Sequence, residues 1–464
     1  MYQKVTTEVI EKLQHIVGPS YVKMNKDELI SYSADESMAP ELWTMPEVVV
    51  APANAEEIGA IIKLANVYHI PVTPRSAGTS VSGGAIPVCG GIVVLLERLN
   101  RILELNEEGL FMVVEAGVRT VDIQQAAREK GLLYAGDPCS ADSCLIGGNL
   151  ATNAGGNKAV RYGTTRHQVY AIEVVLPTGE IVELGGNLKK CSTGFCLEQL
   201  IIGSEGTLGV ITKATLKLIP APLYHFDALA VFTDLSKAID FVPNLIKEKL
   251  NPTSVEFMDN RFVKRANEYC RLQLPHWQDG YYVIVSLDTY REEELQDNIE
   301  RLSNICEAAG ATDILEADER IWRVRRSCLE STRELSKEAT SEDLVVPVLR
   351  IAECIETVVQ MAAAYDFQVF CLAHAGDGNL HFQILRGNLE KTEWERQLAD
   401  FRKQAYPFVY SLGGKLSGEH GIGVKRVDYM ETYTNPVELM MMKKIKQALD
   451  PNVILNPRKV LNVE

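Results

Sequence analysis

The stretch CLIGGNLATNAGGNKAVRYG, residues 144–163, decides the fold, because five glycines stand there among small and polar residues. Residues 147–157 are almost without large side chains, so we expect this part not to fill a hydrophobic core. Glycine lacks a Cβ atom and lets a backbone come close to another group. We therefore interpret the stretch as a surface against which a flat ligand lies.

Two further glycine-rich windows flank this stretch. PRSAGTSVSGG, residues 74–84, follows a predicted strand, and GSEGTLG, residues 203–209, precedes one. Of the 33 glycines, 14 lie within residues 75–91, 147–163 and 194–209. Such loops can direct several backbone N–H groups at a phosphate, although each window alone could also be a plain turn. The motif GxGxxG of a Rossmann dinucleotide site does not occur in the sequence.

Composition and charge exclude several classes of protein. The chain has 464 residues, 46% hydrophobic and 23% charged, which is typical of a globular protein of two or three domains. Its net charge of −15 would repel nucleic-acid phosphates and anionic membranes. The longest apolar runs, such as 48–53 and 344–349, fall far short of the roughly 18 residues of a membrane span. With no signal-peptide core and no CxxC pair, we expect a cytoplasmic protein with reduced thiols, no transmembrane segment and no nucleic-acid partner.

The order of predicted elements divides the chain into three parts. Residues 1–220 contain a strand–helix–strand unit over 47–73 and a hairpin over 170–184. Residues 221–400 alternate strands with charged helices, which indicates an open antiparallel sheet covered on one side. Residues 401–464 are mainly helical with a short tail. The pattern as a whole predicts the α+β class.

Three of the eight histidines lie in the segments HAGDGNLH, residues 374–381, and SGEHGIG, residues 417–423. The central DG dipeptide is a favoured two-residue hairpin turn, which would place His374 opposite His381 on paired strands. Two imidazoles about 5 Å apart at Cβ could share a divalent metal. Glu419 would be a third ligand and would leave positions open for a substrate. The alternative is that these are ordinary core or surface histidines beside a turn.

The backbone around Glu419 and His420 is rich in glycine. A regular strand would point these two side chains to opposite faces. Gly418, Gly421 and Gly423 free the backbone, so that both can be directed at one site.

In this order and spacing, the three windows resemble the FAD-binding half of the vanillyl-alcohol-oxidase-type flavoproteins. The resemblance is to the branch of D-lactate dehydrogenases and glycolate oxidase catalytic subunits. The likeness rests on PRSAGTS, CLIGGNLATNAGGNKAVRYG and GSEGTLGVIT, and it runs from about residue 40 to the C-terminus. It implies a two-subdomain FAD-binding domain over 1–220, an antiparallel-sheet cap domain for substrate over 221–400, and a C-terminal helical segment over 401–464 that returns to the FAD domain.

The resemblance also implies which residues hold FAD. Residues 74–80 would hold the pyrophosphate, residues 137–143 and 147–156 would wrap the flavin and its diphosphate, and residues 206–211 would reach the adenosine end. We expect non-covalent FAD, because the first window has no His. The expected contacts are Pro74, Arg75, Ser76, Ala77, Gly78, Thr79, Ser80, Gly83, Gly84, Pro138, Ser140, Asp142, Ser143, Gly147, Gly148, Asn149, Ala151, Thr152, Asn153, Gly155, Gly156, Tyr162, Gly163, Glu205, Gly206, Gly209, Val210, Ile211 and Asn456. One departure stands in the tail, where Arg458 replaces the usual Gly.

In the same branch the histidine motifs bind one divalent metal, Fe, Zn or Mn. The matching ligands are His374, His381 and Glu419, and His420 matches the catalytic base. The segment WRVRR, residues 322–326, resembles the Trp-x-x-Arg segment of the family and assigns substrate binding to Arg325.

Two parallel N–H donors allow an arginine to hold a carboxylate, which suits the role that the resemblance assigns to Arg325. We expect Arg323 and Arg326 on a solvated helix face instead. Gln383 occupies a position where the family places another polar contact to the substrate.

The implied activity is the dehydrogenation of a D-2-hydroxy acid, foremost D-lactate to pyruvate, with hydride transfer to FAD. No haem or cluster motif is present, so electrons would pass to a partner such as an electron-transferring flavoprotein, a quinone or a dye. Glycolate and D-2-hydroxyglutarate are alternative substrates. A non-catalytic FAD-carrying accessory subunit is a further alternative, but such subunits lack HAGDGNLH and GEH.

Overall fold

The computed structural model describes residues 2–37, 39–336 and 338–463. Contacts divide the chain into two compact units. The first consists of Met1–Gly155, Gly163–Ala221 and Glu419–Glu464, and the second of Gly156–Tyr162 and Pro222–Gly418. Helices and mostly antiparallel sheets make up the described chain, which confirms the α+β class. Within the described residues no helix has both the length and the apolarity that crossing a membrane requires.

The strands are β1 (Val22–Lys23), β2 (Val48–Val50), β3 (Val72–Arg75), β4 (Ile92–Leu95), β5 (Ile102–Asn106), β6 (Phe111–Glu115), β7 (Leu132–Leu133), β8 (Val169–Val175), β9 (Ile181–Gly185), β10 (Val210–Lys217), β11 (Ile219–Pro220), β12 (Tyr224–Phe232), β13 (Ser254–Met258), β14 (Tyr281–Thr289), β15 (Asp313–Glu316), β16 (Ala339–Val345), β17 (Gln368–His374) and β18 (Asn379–Leu385).

The helices are α1 (Thr7–Val17), α2 (Lys26–Leu29), α3 (Ala55–Tyr68), α4 (Thr120–Arg128), α5 (Ile146–Thr152), α6 (Ala159–Tyr162), α7 (Leu197–Ile201), α8 (Leu235–Asp240), α9 (Val242–Lys247), α10 (Asn260–Tyr269), α11 (Glu292–Ala308), α12 (Glu319–Arg333), α13 (Ile351–Ala362), α14 (Lys391–Ser411), α15 (Val427–Tyr433) and α16 (Pro436–Leu449). Short 3-10 helices lie at Pro19–Tyr21, Ile30–Tyr32, Pro40–Leu42, Thr165–Gln168 and Val348–Arg350.

The first sheet of the first unit has the order β1-β2-β4-β3. β2 and β3 both run parallel to β4, and α3 connects them, which confirms the predicted strand–helix–strand unit. The side chain of Asn54 caps α3 by accepting a hydrogen bond from the amide of Glu57. The C-terminal tail packs beside this sheet, because the amide of Val72 donates to the carbonyl of Ile454 at 2.8 Å.

The second sheet of the first unit is antiparallel, in the order β5-β6-β10-β8-β9. β8 and β9 form the hairpin predicted over 170–184. The glycine-rich stretch begins as helix α5, and Leu150 is fully buried in the core of this part. The expectation that nothing in residues 147–157 fills a core was therefore wrong at this one position, because a helix turns its single large apolar side chain inward.

The second unit is built on a seven-stranded antiparallel sheet, in the order β15-β12-β14-β13-β17-β18-β16. Helices cover both of its faces, so the prediction of one covered side was wrong. α10 and α12 pack on the face that carries Met258 and Leu372, whereas Arg402 and Tyr406 of α14 bind Glu342 on the other face. Nearly every position of β13, β17 and β18 is buried, which is typical of strands that carry apolar side chains on both faces and need a cover on each.

Two predicted helices have different bounds in the structure. The charged pattern over residues 236–250 predicts one helix, but the structure has two, α8 and α9, because Pro243 lacks an N–H and starts a new helix. The sequence also predicts a helical segment from about residue 401 to Tyr410, and this is the second half of α14, which begins at Lys391 and belongs to the second unit. The chain passes to the first unit only between Gly418 and Glu419.

Candidate active site

His374 ends β17 and His381 lies near the start of β18, and the two imidazole centroids are 5.3 Å apart. The predicted register was wrong by two residues, because His374 pairs with Asn379 and His381 pairs with Leu372. The two histidines are thus diagonal neighbours, and they remain on one face of the sheet.

A wider turn explains the difference in register. Residues 375–378 form the connection, and the amides of Asp377 and Gly378 both donate to the carbonyl of His374 at 3.2 Å. Ala375 stays bound to the sheet through its amide, which donates to Val255 at 2.8 Å. The neighbouring strand therefore extends the pairing beyond His374 and leaves no room for a two-residue turn.

Two fully buried carboxylates flank the histidines, and the strand register places them there. Glu256 of β13 pairs directly with His374, and Asp343 of β16 pairs directly with His381. Glu256 Oε1 accepts a hydrogen bond from His374 Nδ1 at 2.7 Å. Asp343 Oδ1 lies 3.9 Å from His381 Nδ1. Sequence reasoning missed both carboxylates, although an acidic residue inside a buried strand signals a paired charge.

Arg325 reaches the same group of side chains from α12. Its Nη2 donates to Glu256 Oε2 at 2.6 Å, while Arg323 and Arg326 on the same helix are exposed, as expected. One turn before Arg325, Trp322 Nε1 donates to Asp227 of β12 at 2.7 Å. Two side chains therefore tie this helix to the sheet.

The buried charge of Glu256 is compensated by two groups of the second unit. Burial by itself would raise the pKa of Glu256, but His374 and Arg325 outweigh it and hold the pKa at about 2. Glu256 is thus a carboxylate shared between a histidine and an arginine. Gln383, two residues after His381 on β18, is buried and points to the same face.

Asp343 also holds the chain that leads to Glu419. Its Oδ2 accepts hydrogen bonds from Ser417 Oγ at 2.6 Å and from the amide of Gly418 at 3.1 Å. Glu419 and His420 follow directly in sequence and belong to the first unit.

In the first unit, the Glu419 carboxylate lies against Gly155, where an added Cβ would meet its Oε2 at 2.6 Å. The carbonyl of His420 accepts a hydrogen bond from Ser82 Oγ at 3.0 Å. The amide of Ile422 donates to the Glu205 carboxylate at 2.7 Å, and that of Gly423 at 2.8 Å. The first and third glycine windows thus hold the loop that carries Glu419 and His420.

In the first glycine window, one side chain supports the loop and several backbone amides remain available to a ligand. Arg75 donates to the carbonyls of Ala34 at 2.8 Å and Ala85 at 3.2 Å, so its guanidinium supports the loop. Gly78 has φ +77°, and a Cβ there would collide with the same guanidinium. Across the part of the chain that the structure describes, the backbone amides of residues 77–80 have no protein acceptor. These amides can bind an anion.

The second window is held by its own polar residues. Gly147 lets α5 approach Ala116, since an added Cβ would lie 2.9 Å from that carbonyl oxygen. Asn149 Nδ2 donates to Thr120 Oγ1 at 2.6 Å. Gly148 differs, because the nearest atom to an added Cβ, on Ser76, is 3.4 Å away. Gly148 is therefore the position where a neighbouring molecule could touch the backbone.

The other expected FAD contacts are distributed over both units. Asn456 Nδ2 donates to the carbonyls of Glu205 at 2.7 Å and Gly84 at 3.3 Å, so it connects the tail with two windows. Arg458 has φ +60°, the left-handed backbone that favours the usual Gly. The first unit holds Pro74, Ser76, Thr79, Gly83, Pro138, Ser140, Asp142, Ser143, Ala151, Thr152, Asn153, Gly163, Gly206, Gly209, Val210 and Ile211, and the second unit holds Gly156 and Tyr162.

Two family models match the chain: FAD binding domain over residues 46–185, and FAD linked oxidases, C-terminal domain, over residues 227–460. A D-lactate dehydrogenase of Anaerostipes hadrus is 39% identical over 469 residues, covering 99% of this chain and 98% of the relative. The chain belongs to the FAD-linked oxidase family.

Further likenesses of this FAD-linked oxidase concern both sequence and fold. It is 34% identical to glycolate oxidase subunit GlcD of Bacillus subtilis, over 98% of this chain and 97% of the relative. Its structure is similar to 4-ethylphenol oxidase from Gulosibacter chungangensis, with a TM-score of 0.81 at 18% identity, covering 100% of this chain and 99% of that one. The fold is that of the vanillyl-alcohol-oxidase-type flavoproteins, which confirms the predicted fold class.

The residues of this FAD-linked oxidase fit FAD, which the family binds. The open amides of residues 77–80 suit a diphosphate, and Gly148 offers bare backbone. A divalent metal also fits the second unit. His374 Nδ1 is hydrogen-bonded to a buried carboxylate, as metal-binding histidines commonly are, and the buried Asp343 lies 3.9 Å from His381 Nδ1.

Proposed function

We propose that this FAD-linked oxidase dehydrogenates a D-2-hydroxy acid, foremost D-lactate to pyruvate, with the first unit binding FAD and the second binding the substrate. The observation that carries the proposal is the cluster on one sheet face, where Glu256 joins His374 to Arg325. An arginine beside a pair of histidines supplies what a small hydroxy carboxylate needs, a clamp for its carboxylate and a polar environment for its hydroxyl. The similarity to a D-lactate dehydrogenase supports the choice of substrate.

His374, His381 and Glu419 are the proposed ligands of one divalent metal, Fe, Zn or Mn. Because His374 Nδ1 is bound to Glu256, Nε2 is its ligand atom. The amide of Gly418 is bound to Asp343, so the backbone is held one residue before Glu419. A metal bound there supplies Lewis acidity that lowers the pKa of the substrate hydroxyl.

The chain's own residues would then act on the substrate as follows. Arg325 holds the carboxylate, which is compatible with its bond to Glu256 because a guanidinium has five N–H donors. The Gln383 amide contacts the same substrate. The His420 imidazole accepts the proton of the hydroxyl as general base. FAD, when bound, supplies the acceptor for the hydride of the carbinol carbon.

A steady-state screen tests the substrate assignment. The purified FAD protein is assayed with an artificial acceptor on the D and L forms of lactate, on glycolate and on D-2-hydroxyglutarate, and its metal content is measured in parallel. We expect the highest kcat/KM for D-lactate and none above background for L-lactate. Equal rates on both lactate enantiomers would refute the assignment.

Glycolate is the second candidate substrate, and the similarity to glycolate oxidase subunit GlcD supports it. D-2-hydroxyglutarate carries a second carboxylate and would need an additional cation in the pocket. An accessory subunit without catalysis is disfavoured by the two buried carboxylates beside the histidines, of which Glu256 orients His374 through a hydrogen bond. The same screen separates these alternatives.

We further propose that reduced FAD passes its electrons to an electron-transferring flavoprotein in the cytoplasm. Flavin chemistry requires such an acceptor to complete a cycle. Co-purification of a two-subunit flavoprotein with the native enzyme, and lactate-dependent reduction of that partner, are the expected results. Efficient turnover with a quinone and none with the flavoprotein would contradict this partner.

A further inference from the structure

Glu256 contacts both a proposed metal ligand and the proposed substrate arginine. Its side chain is 0% exposed, and it lies in the middle of β13, between β14 and β17. Oε1 accepts from His374 Nδ1 at 2.7 Å, and Oε2 accepts from Arg325 Nη2 at 2.6 Å. Each carboxylate oxygen thus serves a different functional side chain.

We propose that Glu256 is a positioning residue that sets the spacing between the metal ligand His374 and the carboxylate-binding Arg325. This inference rests on the proposed function, because it assigns to Glu256 a part in the same site. Glu256 itself touches neither the substrate nor the metal in this account.

The backbone makes Glu256 a fixed reference point. Its strand is paired on both sides, with Ile284 of β14 and with His374 of β17 in direct register. The backbone of a central strand moves little, whereas the guanidinium of Arg325 lies at the end of a long flexible side chain. The bond to Glu256 therefore orders the guanidinium at a defined place beside the histidine.

The chemistry of a 2-hydroxy acid explains why this spacing matters. Its hydroxyl and its carboxylate are on adjacent carbons, so the group that binds the hydroxyl and the group that binds the carboxylate must lie close together. One carboxylate that binds both side chains enforces a short separation. An acid with its hydroxyl one carbon further away would not match it.

Glu256→Gln is the most direct test, because it preserves size and removes the charge. A glutamine offers one acceptor oxygen and an NH₂ donor, so it can accept from His374 or from Arg325 but not from both by separate oxygens. Metal is removed by chelation from the FAD-loaded protein, and Zn²⁺ or Mn²⁺ is titrated back. We expect about 10–100-fold weaker metal binding, as for other carboxylates that orient metal-binding histidines.

Kinetics supply a second readout from the same variant. With the metal site saturated, KM for D-lactate should rise about tenfold or more, with a smaller fall in kcat, because the clamp for the substrate carboxylate is misplaced. The selectivity for D-lactate over D-3-hydroxybutyrate should also fall. The amount of bound FAD should be unchanged.

Glu342→Gln is the matched control. Glu342 is a buried glutamate of the same sheet that also binds an arginine, since Arg402 Nε donates to it at 2.9 Å, but it faces α14 on the opposite side. This variant should lower stability without changing metal affinity or KM. Glu256→Asp is the second test variant, since it keeps the charge but is too short to bind both partners, and it should also weaken the metal and raise KM.

The outcomes separate this inference from the function on which it rests. Wild-type protein that binds no metal and oxidises no hydroxy acid would refute the proposed function. Wild-type protein that does both, with Glu256→Gln or Glu256→Asp as folded as Glu342→Gln and equal to wild type in metal affinity and KM, would refute the positioning role alone.

Discussion

The glycine windows of the first unit and the sheet face of the second use charged side chains in opposite ways. In the first unit, Arg75 binds backbone carbonyls and Glu205 binds backbone amides, so both hold loops in place. The groups left for a ligand there are main-chain amides. In the second unit, Glu256 binds His374 and Arg325, so a charged side chain orients other side chains.

This difference follows from the backbone on which each site stands. Loops of small residues do not fix side-chain directions, so other side chains must hold them in place. Their exposed backbone amides suit a phosphate. Paired strands fix side-chain directions by register, and they suit chemistry that needs particular imidazole and guanidinium atoms. Changes in the glycine windows should therefore alter loop stability or FAD retention, and changes on the sheet face should alter turnover.

The largest expected effect is that of His420→Ala. Loss of a general base should lower kcat by about 10²–10⁴-fold, while the protein still retains FAD and binds metal. Steady-state kinetics measure kcat, visible flavin absorbance measures bound FAD, and metal analysis measures bound metal, all on one sample. The control is His276→Ala, since His276 is an exposed histidine near Asp313 in the second unit, and this variant should keep full activity. Retained activity in the His420 variant would show that His420 is not the general base.

Glu205→Gln tests whether charged residues of the first unit stabilise its loops. The Glu205 carboxylate is buried and accepts from the amides of Ile422 and Gly423. The side-chain NH₂ group of a glutamine would face one of these backbone N–H donors and leave it without an acceptor. We therefore expect a loss of about 1–3 kcal/mol in the free energy of unfolding. Denaturant unfolding measures it, with the exposed Glu8→Gln as control. Unchanged stability together with lost FAD would make Glu205 a ligand contact instead.

Gly148→Ala tests the open backbone of the second window. Alanine favours the helix over glycine, and its methyl group would lie 3.4 Å from Ser76, so the protein itself should tolerate it. If FAD touches this backbone, its dissociation constant should rise about tenfold, or about 1.4 kcal/mol. Gly186→Ala is the control, since the nearest side-chain atom there, on Leu188, is 3.9 Å away. Equal FAD affinity in both variants would exclude the contact.

The smallest expected effect concerns His225, a histidine of the second unit that has no part in the proposed chemistry. Hydrogen bonds to Asp227 and Asp288 raise the pKa of His225 to about 10, against the effect of burial. Because the folded pKa exceeds the unfolded value of about 6.5, the stabilisation is complete below that pH and is lost as pH rises through about 10.

His225→Ala measures this contribution. The His225 side chain is 57% exposed, so solvent screening limits the effect to about 1 kcal/mol at pH 7. Unfolding free energies of both proteins between pH 7 and pH 10 should converge as pH rises. A difference that stays constant over this range would show that the effect is one of packing.

Fold and cofactor were largely predictable from sequence, because the three glycine windows lie in contiguous segments. The hairpin register was not, since the DG dipeptide suggests a two-residue turn while the bond from Ala375 to β13 imposes a wider one. Glu256 was not found either. It meets His374 only through the order of the strands, and no local pattern in SVEFM indicates that order.

The most direct test of the account is an anaerobic single-turnover measurement of flavin bleaching by D-lactate. It compares metal-loaded protein, chelated protein, and the variants His374→Ala and Arg325→Ala, all with equal FAD content. The account predicts rapid bleaching in the metal-loaded protein and slowing by about 10²-fold or more in the other three. Equally rapid bleaching by chelated protein and by the His374 variant would contradict the claim that this sheet face carries the chemistry.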